Sequence, residues 1–406
     1  MRLNNSTDVD VQHPLIVIVG KTPFPVNTAS SNRILTLSKG MINAGATVHV
    51  YVFGLSRLPL RCEGNNYSGS FSGIKWMFFN KRVTAFNCRF LNGIYLILGQ
   101  IKGYTILLFR YFNKKPFFFT SQTEIGYIIP LWILTRICRG RIILFRSEFP
   151  AHILRKNSIT WLVENYFYPI AISRFDAMFF MTDKLREYFE KWANKNAVIE
   201  IVPLSVDLIM FDYPTQSPFL FSYIAYSGSI TNAKDGLYPL IRSFYSIHKT
   251  FPDVHLVIIG GGSDLNALKA YVADKFNEEG KVVFTGIVDH SKVPEYLLNA
   301  KILALARPNS IQAEGGFPTK LGEYLATGRP VIVTDTGEIS KYLKDKVNAR
   351  IVKAGDESDF TEKLMWMLEN PEESCKIGIK GRETAINNFD MNKIGFNILK
   401  ILKRLN

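Results

Sequence analysis

Short, unbroken apolar runs, each followed by a segment with helical period, restrict this chain to a parallel-sheet fold. Leu15–Gly20 (LIVIVG) shows no polar alternation, the pattern of a strand covered on both faces. The polar stretch Lys21–Asn32 follows. Ile34, Leu35, Leu37, Met41 and Ile42 then recur at helical spacing, Gly45 ends the helix, and Val48–Phe53 is a second strand. Strand, helix and strand within about forty residues make a βαβ unit, and such units build parallel sheets.

The second half repeats this pattern. Tyr223–Tyr226 leads into Gly228, Leu237–Thr250 reads as helix, and His255–Ile259 runs into Gly260, Gly261 and Gly262. Val282–Thr285, Ile302–Ala306 and Val331–Thr334 read as strands, Lys320–Ala326 and Lys393–Leu405 as helices. In the middle, Thr105–Phe109, Ile142–Phe145, Ala177–Met181 and Val198–Val202 are candidate strands. Pro203–Leu220, with three prolines and no period, reads as a hinge. A length of 406 residues suits two domains. The expected division is 1–205 and 206–385, with a basic helix at 386–406 returning to the first domain. The expected fold is α/β: two doubly wound domains facing across a cleft. Ligands of such sheets bind at the carboxyl ends of the strands. That singles out the loops 21–33, 146–152, 228–236, 260–264, 286–290, 307–319 and 335–339.

Charge narrows the partners. The net charge is +14, and Lys81–Lys156 holds thirteen Lys or Arg against two acids, Glu124 and Glu148. This run is either a solvated face or a surface for anionic lipid or phosphate. No nucleic-acid-binding motif accompanies it. No window holds about 18 uninterrupted apolar residues, so no spanning helix is expected. The nearest stretch, Ile125–Cys138, is broken by Pro130 and Arg136. Met1–His13 is a polar tail without an apolar leader segment. Cys62, Cys88, Cys138 and Cys375 are scattered and form no CxxC pair, as in a reducing cytoplasm.

The segment from Arg307 to Asp335 (RPNSIQAEGGFPTKLGEYLATGRPVIVTD) concentrates the chemistry. A strand ends near Ala306, Gly315 and Gly316 loosen the following loop, and Pro318 suits the start of a helix near Thr319. Exposed N–H groups at a helix start, with Lys320 beside them, suit a phosphate. Glu323 lies one turn further on, where a carboxylate can accept two hydroxyls of a ribose.

This segment resembles the donor-binding signature of retaining glycosyltransferases of family 4, which have the GT-B fold. Glu323 matches the second Glu of the family pattern, followed by Tyr324-Leu325-Ala326-Thr327-Gly328-Arg329-Pro330-Val331. Phe317-Pro318-Thr319-Lys320-Leu321 resembles the subgroup with Pro-x-Lys-Leu before Glu-Tyr. Where the first Glu of the pattern falls, this chain has Gly315, with Glu314 one place early. The resemblance implies either a shifted loop with Glu314 on the donor sugar, or the amides of Gly315, Gly316 and Phe317 in its place. Tyr226–Leu240 is similar to the family's diphosphate loop. Gly228 is followed by Ser229 where the family has Arg, and Lys234-Asp235-Gly236 stands for the Lys-Gly step. Lys234 is thus a candidate phosphate contact, with Arg307 supplying the missing charge. On the acceptor side, Thr28–Arg33 looks like the family's first loop, which gives Ser30 and Arg33, the latter meeting either the sugar-nucleotide phosphate or a helix partner. Arg146 and Glu148 follow a first-domain strand. His152 and His290 read as ordinary surface residues.

The resemblance implies transfer of a sugar from a UDP- or GDP-sugar to a glycan or lipid-linked hydroxyl, with retention, without a metal or other cofactor, and in surface-polysaccharide or O-antigen-like assembly. The place would be cytoplasmic, peripheral at the inner face of the plasma membrane. Asp-x-Asp, a metal and diphosphate motif of other glycosyltransferases, occurs only as Asp8-Val9-Asp10 in the polar tail. A nicotinamide oxidoreductase lacks support, since Gly20-Lys21-Thr22-Pro23 and Gly260-Gly261-Gly262-Ser263-Asp264 both miss GxGxxG. An epimerase or phosphorylase on the same scaffold, or a non-catalytic sugar-nucleotide binder, remains as a rival reading.

Overall fold

The computed structural model describes residues 13–26, 28–54, 67–80, 89–150, 153, 158–231, 235–276 and 280–405. The first domain runs β1 (Leu15–Gly20), α1 (Ala29–Asn43), β2 (Thr47–Val52), β3 (Ser68–Phe71), β4 (Ile74–Phe78), α2 (Arg89–Tyr111), β5 (Phe117–Thr120) and α3 (Ile125–Ile137). It continues with β6 (Arg141–Arg146), α4 (Ser158–Leu162), α5 (Tyr168–Ile172), β7 (Ala177–Phe180), α6 (Asp183–Glu190) and β8 (Val198–Ile201). These strands form one sheet in the order β3-β4-β2-β1-β5-β6-β7-β8. All neighbours pair in parallel except the β3–β4 hairpin.

Strand β1 shows why the run is apolar throughout. Ile16 and Ile18 pack into one buried cluster with Ile34, Leu37 and Met41 of α1. Val17 and Val19 face the opposite cluster, with Leu107 of α2 and Ile128 and Leu131 of α3. Each successive side chain therefore meets a different helical layer.

The second domain runs β9 (Ser222–Ser227), α7 (Leu237–Ile247), β10 (Val254–Ile259), α8 (Leu265–Phe276), β11 (Val282–Gly286), α9 (Val293–Leu298), β12 (Ile302–Leu305), α10 (Ile311–Gly315) and α11 (Thr319–Ala326). Then come β13 (Val331–Asp335), α12 (Ile339–Tyr342), β14 (Arg350–Lys353), α13 (Glu357–Glu369), α14 (Pro371–Asn388) and α15 (Met391–Leu402). The strands pair in the order β11-β10-β9-β12-β13-β14, all in parallel. The order reverses between β9 and β12 here, and between β1 and β5 in the first sheet. A crevice opens at the carboxyl ends of strands at such a point.

The chain crosses between domains twice. Val206 donates its N–H to the Phe389 carbonyl at 2.8 Å, and Met391 donates to the Val206 carbonyl at 3.0 Å. Helix α15 then lies on α1 at a glycine contact. A Cβ on Gly40 would sit 2.0 Å from the Met391 carbonyl oxygen, and one on Gly395 would sit 2.1 Å from the Gly40 carbonyl carbon. The stretch read as a hinge, Pro203–Leu220, is braced: Lys39 pairs with the buried Asp207, and Arg382 with Asp212.

One expectation fails here. Thr105–Phe109 is not a strand but part of α2; the aliphatic and aromatic run ILLF mimics strand composition, and the true strand begins after Pro116. A helix of spanning length is also present. Leu91–Tyr111 is 21 residues long and apolar enough to cross a membrane by length and composition, although Asn92, Gln100 and Lys102 interrupt the run.

Candidate functional site

The carboxyl end of β9 carries a connected cluster of polar side chains. Lys320, one residue into α11, donates from Nζ to Asp235 Oδ2 at 2.6 Å and to the Tyr226 hydroxyl at 2.8 Å. Tyr226 in turn donates to Asp235 Oδ2 at 2.7 Å. One turn along the helix, the Tyr324 hydroxyl accepts the Ser227 N–H at 2.6 Å. Lys320 and Tyr324 thus both reach back to the end of β9, as residues four apart on one helix face do. Gly228 leaves room for this: a Cβ there would lie 2.2 Å from Lys320 Nζ. Burial pushes the Asp235 carboxyl up, but the Lys320 charge outweighs it and holds the group below the usual carboxylate range. Burial lowers the Lys320 ammonium, with Asp235 opposing.

Arg307 follows β12 beside this cluster. Its carbonyl accepts the Thr334 hydroxyl at 2.9 Å, and the neighbouring Gly236 N–H bonds the Ala306 carbonyl at 2.7 Å. Its Nε and Nη1 are buried without a protein hydrogen bond. Burial lowers its pKa, while the charges of Asp235 and Glu148 act the other way. A guanidinium with buried, open donors at a strand end is arranged for an anion. Glu323 sits one turn into α11, about a quarter exposed, with its carboxylate 3.5 Å from Nε2 of His290 in the loop after β11. His290 is mostly covered, not an ordinary surface residue as the sequence suggested.

The other candidates in this segment have different surroundings. Glu314 pairs with Lys184 at the start of α6, in the first domain. Beside it the Thr182 hydroxyl donates to the Gly315 carbonyl at 2.8 Å, the Asp183 N–H bonds the Glu338 carboxylate, and Lys341 pairs with Asp183 at 2.5 Å. These contacts latch the two domains together. Gly315 faces the Phe149 ring, which a Cβ would approach to 2.1 Å, so it accommodates a neighbour from the first domain. Gly316 is looser, with Gln312 and Ser147 carbonyl oxygens 3.3 and 3.5 Å from a Cβ position. Phe317 packs against Tyr342 and Phe389, and Leu321 is wholly buried in the core. Ser229 is an exposed loop residue whose carbonyl accepts the Tyr226 hydroxyl at 3.0 Å. Lys234 lies outside the described residues.

Across the cleft, Arg33 is 6% exposed in α1, with Nη2 3.4 Å from the Val202 carbonyl and Nε and Nη1 without partners. Burial pushes its pKa down to about 10, and Glu148 opposes this. Arg146 ends β6 and donates to the Ser121 carbonyl at 2.6 Å; burial lowers it too, with Tyr168, Glu124 and Glu148 opposing. Glu148 is exposed, and it is the acid whose charge reaches Arg33, Arg146 and Arg307 alike. Ser30 is exposed in the first turn of α1. The sequence missed Asp235 and His290 as site residues. Asp235 was visible only as the extra residue between Lys234 and Gly236. A separate groove of about 550 Å³ borders Tyr213, Lys301, Gly328 and Arg382 at the amino ends of β12 and β13, away from this chemistry.

Two Rossmann-like α/β domains with this layout are the GT-B architecture, and the chain has that fold. Its structure resembles Anabaena HepE in complex with UDP, with a TM-score of 0.69 at 12% identity, over 96% of this chain and 100% of that one. It also resembles sucrose-phosphate synthase from Thermosynechococcus elongatus, with a TM-score of 0.72 at 16% identity, over 97% of this chain and 99% of that one. Residues 221–384, most of the second domain, match the family model of glycosyl transferases group 1. In sequence the chain is similar to the GDP-mannose-dependent alpha-(1-6)-phosphatidylinositol monomannoside mannosyltransferase of Mycolicibacterium smegmatis, 26% identical over 166 residues. That match covers 40% of this chain and 43% of the relative, so the chain spans under half the relative's length.

Proposed function

We propose that this chain is a retaining glycosyltransferase that moves a sugar from a nucleoside diphosphate sugar, of the UDP or GDP type, to a hydroxyl of a glycan or lipid-linked acceptor. One observation carries this: Arg307, with open buried donors, stands beside the Lys320–Asp235 pair at the switch point of the domain that matches the glycosyl transferases group 1 model. Breaking the sugar–oxygen bond leaves negative charge on the diphosphate. Cations fixed in place beforehand stabilise that charge as it develops. In this proposal Arg307 and Lys320 bind the diphosphate, Lys320 exchanging Asp235 for a phosphate oxygen. Glu323, braced by His290, accepts the ribose hydroxyls. Arg33, Arg146, Glu148 and Ser30 line the acceptor side.

Glu314 is engaged by Lys184, so no role as nucleophile is assigned to it. The acceptor hydroxyl attacks on the face the diphosphate leaves, passes its proton to a departing phosphate oxygen, and the anomeric configuration is kept. The protein contributes position and charge. Arg307 and Lys320 take the part a metal plays elsewhere, so chelation with EDTA should leave turnover unchanged. The Mycolicibacterium smegmatis relative is named for a phosphatidylinositol monomannoside, which supports a lipid-linked acceptor here. With the basic first domain, it also supports a peripheral place on the inner face of the plasma membrane, in polysaccharide or O-antigen-like assembly. The test is a thermal-shift screen against UDP- and GDP-sugars, then proton NMR of the first-formed glycoside with the donor selected. A retained anomer is expected. An inverted anomer refutes the mechanism, and a product without a new glycosidic bond refutes the transferase reading.

A further inference from the structure

Helix α2 is built inside out for a helix on a water-soluble domain. Its buried positions, Gly99, Gly103, Leu107 and Tyr111, are spaced four apart and form one stripe against the sheet. A Cβ on Gly103 would lie 2.3 Å from the Phe53 ring and 2.6 Å from that of Phe79. Tyr111 is held by the Tyr51 hydroxyl at 2.8 Å and by His49 at 2.6 Å. The small and polar-bonded residues thus face inward. The opposite stripe, Leu91, Ile94, Ile97, Leu98, Ile101 and Phe109, faces out, with Ile101 59% and Phe109 81% exposed. Thr105, in that stripe, donates its hydroxyl to the Ile101 carbonyl at 2.9 Å and so turns its polarity back into the helix, and Lys102, exposed at the edge of the stripe, has a stem long enough to carry its charge to the headgroups. A surface helix ordinarily shows water the reverse pattern.

Charge continues from this stripe. Arg110, Lys114 and Lys115 are exposed at its end, and the Lys115 N–H bonds the Cys138 carbonyl at 3.2 Å, which brings Arg136 and Arg139 of the next turn alongside. Residues 89–139 hold seven cations and one acid, Glu124, which is paired with Lys21. Arg136 is paired with Asp176 at 2.9 Å, so Arg110, Lys114, Lys115 and Arg139 carry the charge at the end of the stripe. An apolar stripe that ends in such cations matches the boundary between acyl chains and anionic headgroups.

We infer that α2 lies in the plane of an anionic membrane surface, its outward stripe at the acyl boundary and the cluster from Arg110 to Arg139 among phosphate headgroups. The helix does not cross the bilayer, because its second half, from Gly99 to Tyr111, is packed on the first domain. At 23 residues it spans roughly 34 Å of interface. This deepens the membrane reading above by naming the element that inserts and making part of the binding independent of charge.

The test is co-sedimentation of the full chain with vesicles of phosphatidylcholine alone and of phosphatidylcholine with phosphatidylglycerol, for the wild type, I97S/I101S and K114E/K115E. I97S/I101S leaves the charge unchanged at two exposed positions, and its melting temperature reports that the fold is intact. The wild type should bind the anionic vesicles and retain a bound fraction at about 0.5 M salt, where surface charges are screened. I97S/I101S should lose that fraction and partition at least about tenfold more weakly at low salt. K114E/K115E should weaken binding only at low salt. If I97S/I101S partitions like the wild type and salt releases all of it, docking rests on charge alone; the insertion of α2 is then overturned while the peripheral reading stands. If the wild type binds no vesicle, both fall. A dimer in sedimentation velocity that I97S/I101S converts to monomer would then assign the stripe to a second copy of the chain.

Discussion

Replacing Asp235 with Asn tests whether Lys320 waits for a diphosphate. Asp235 is 6% exposed, and Lys320 keeps only a small part of its side chain in water. Removing one partner of a buried pair strands the other charge, at a typical cost of about 3–5 kcal/mol. Asn still accepts from Tyr226 and Lys320, so the lower end applies, about 3 kcal/mol. For a domain of this size that is a fall in melting temperature of roughly 6–12 °C. The penalty should depend on pH. The folded-state pKa of Asp235 lies below its unfolded value. Its stabilising contribution is therefore fully present above about pH 4 and lost as pH falls through the folded pKa. Wild type and variant should converge in acid. Binding should move oppositely: a diphosphate need no longer displace a carboxylate, so UDP or GDP should raise the melting temperature of D235N by more than it raises that of the wild type. Differential scanning fluorimetry from about pH 2 to 8 follows the convergence, and scans at neutral pH with either nucleotide read the binding effect. A destabilisation below about 1 kcal/mol, or loss of the nucleotide effect in D235N, would refute the exchange of partners.

Arg307→Ala should weaken UDP or GDP binding by roughly 10–150-fold, through loss of charge-assisted bonds of about 1.5–3 kcal/mol, and weaken uridine or guanosine binding far less. Titration calorimetry with both ligand types checks this, and equal losses would point to a different site. Glu323→Gln should lower affinity for the nucleotide by a similar factor, with the deoxyribose analogue indifferent to the change. Gly315→Ala should cost about 1–3 kcal/mol, because the new methyl meets the Phe149 ring, and Phe149→Leu should restore part of it. Denaturant titration measures both.

The strands with a continuous apolar run were legible because their two faces meet two helical layers, as β1 does. The α2 segment was not. Its composition suits a strand, a buried helix or an interfacial one, and only the stripe of Gly99, Gly103, Leu107 and Tyr111 distinguishes them once the partner surface is known. The Lys320–Glu323 spacing could be read directly, since both residues lie on one helix and local period fixes their relation. Roles that depend on the other domain could not. Glu314 looked like a donor-facing acid, but the contact that claims it, Lys184, lies 130 residues away. Gly315 looked like a cradle for the same reason, and Phe149 fills the space. Asp235 was hidden because no local pattern announces that Tyr226 and Lys320 converge on it.

The return of α15 to α1 also bears on synthesis of the chain. The first domain's sheet is complete by Ile201, but the glycine contact that closes one of its helical layers waits for Met391–Leu402. While the second domain emerges from the ribosome, Ile34, Leu37 and Met41 have only part of their final cover. Residues 1–205 alone should therefore behave as an unfinished layer that gathers chaperones or aggregates. Supplying 386–406 on a linker should cure that defect. A graft that moves the acceptor-side domain between proteins of this architecture must move its last helix with it.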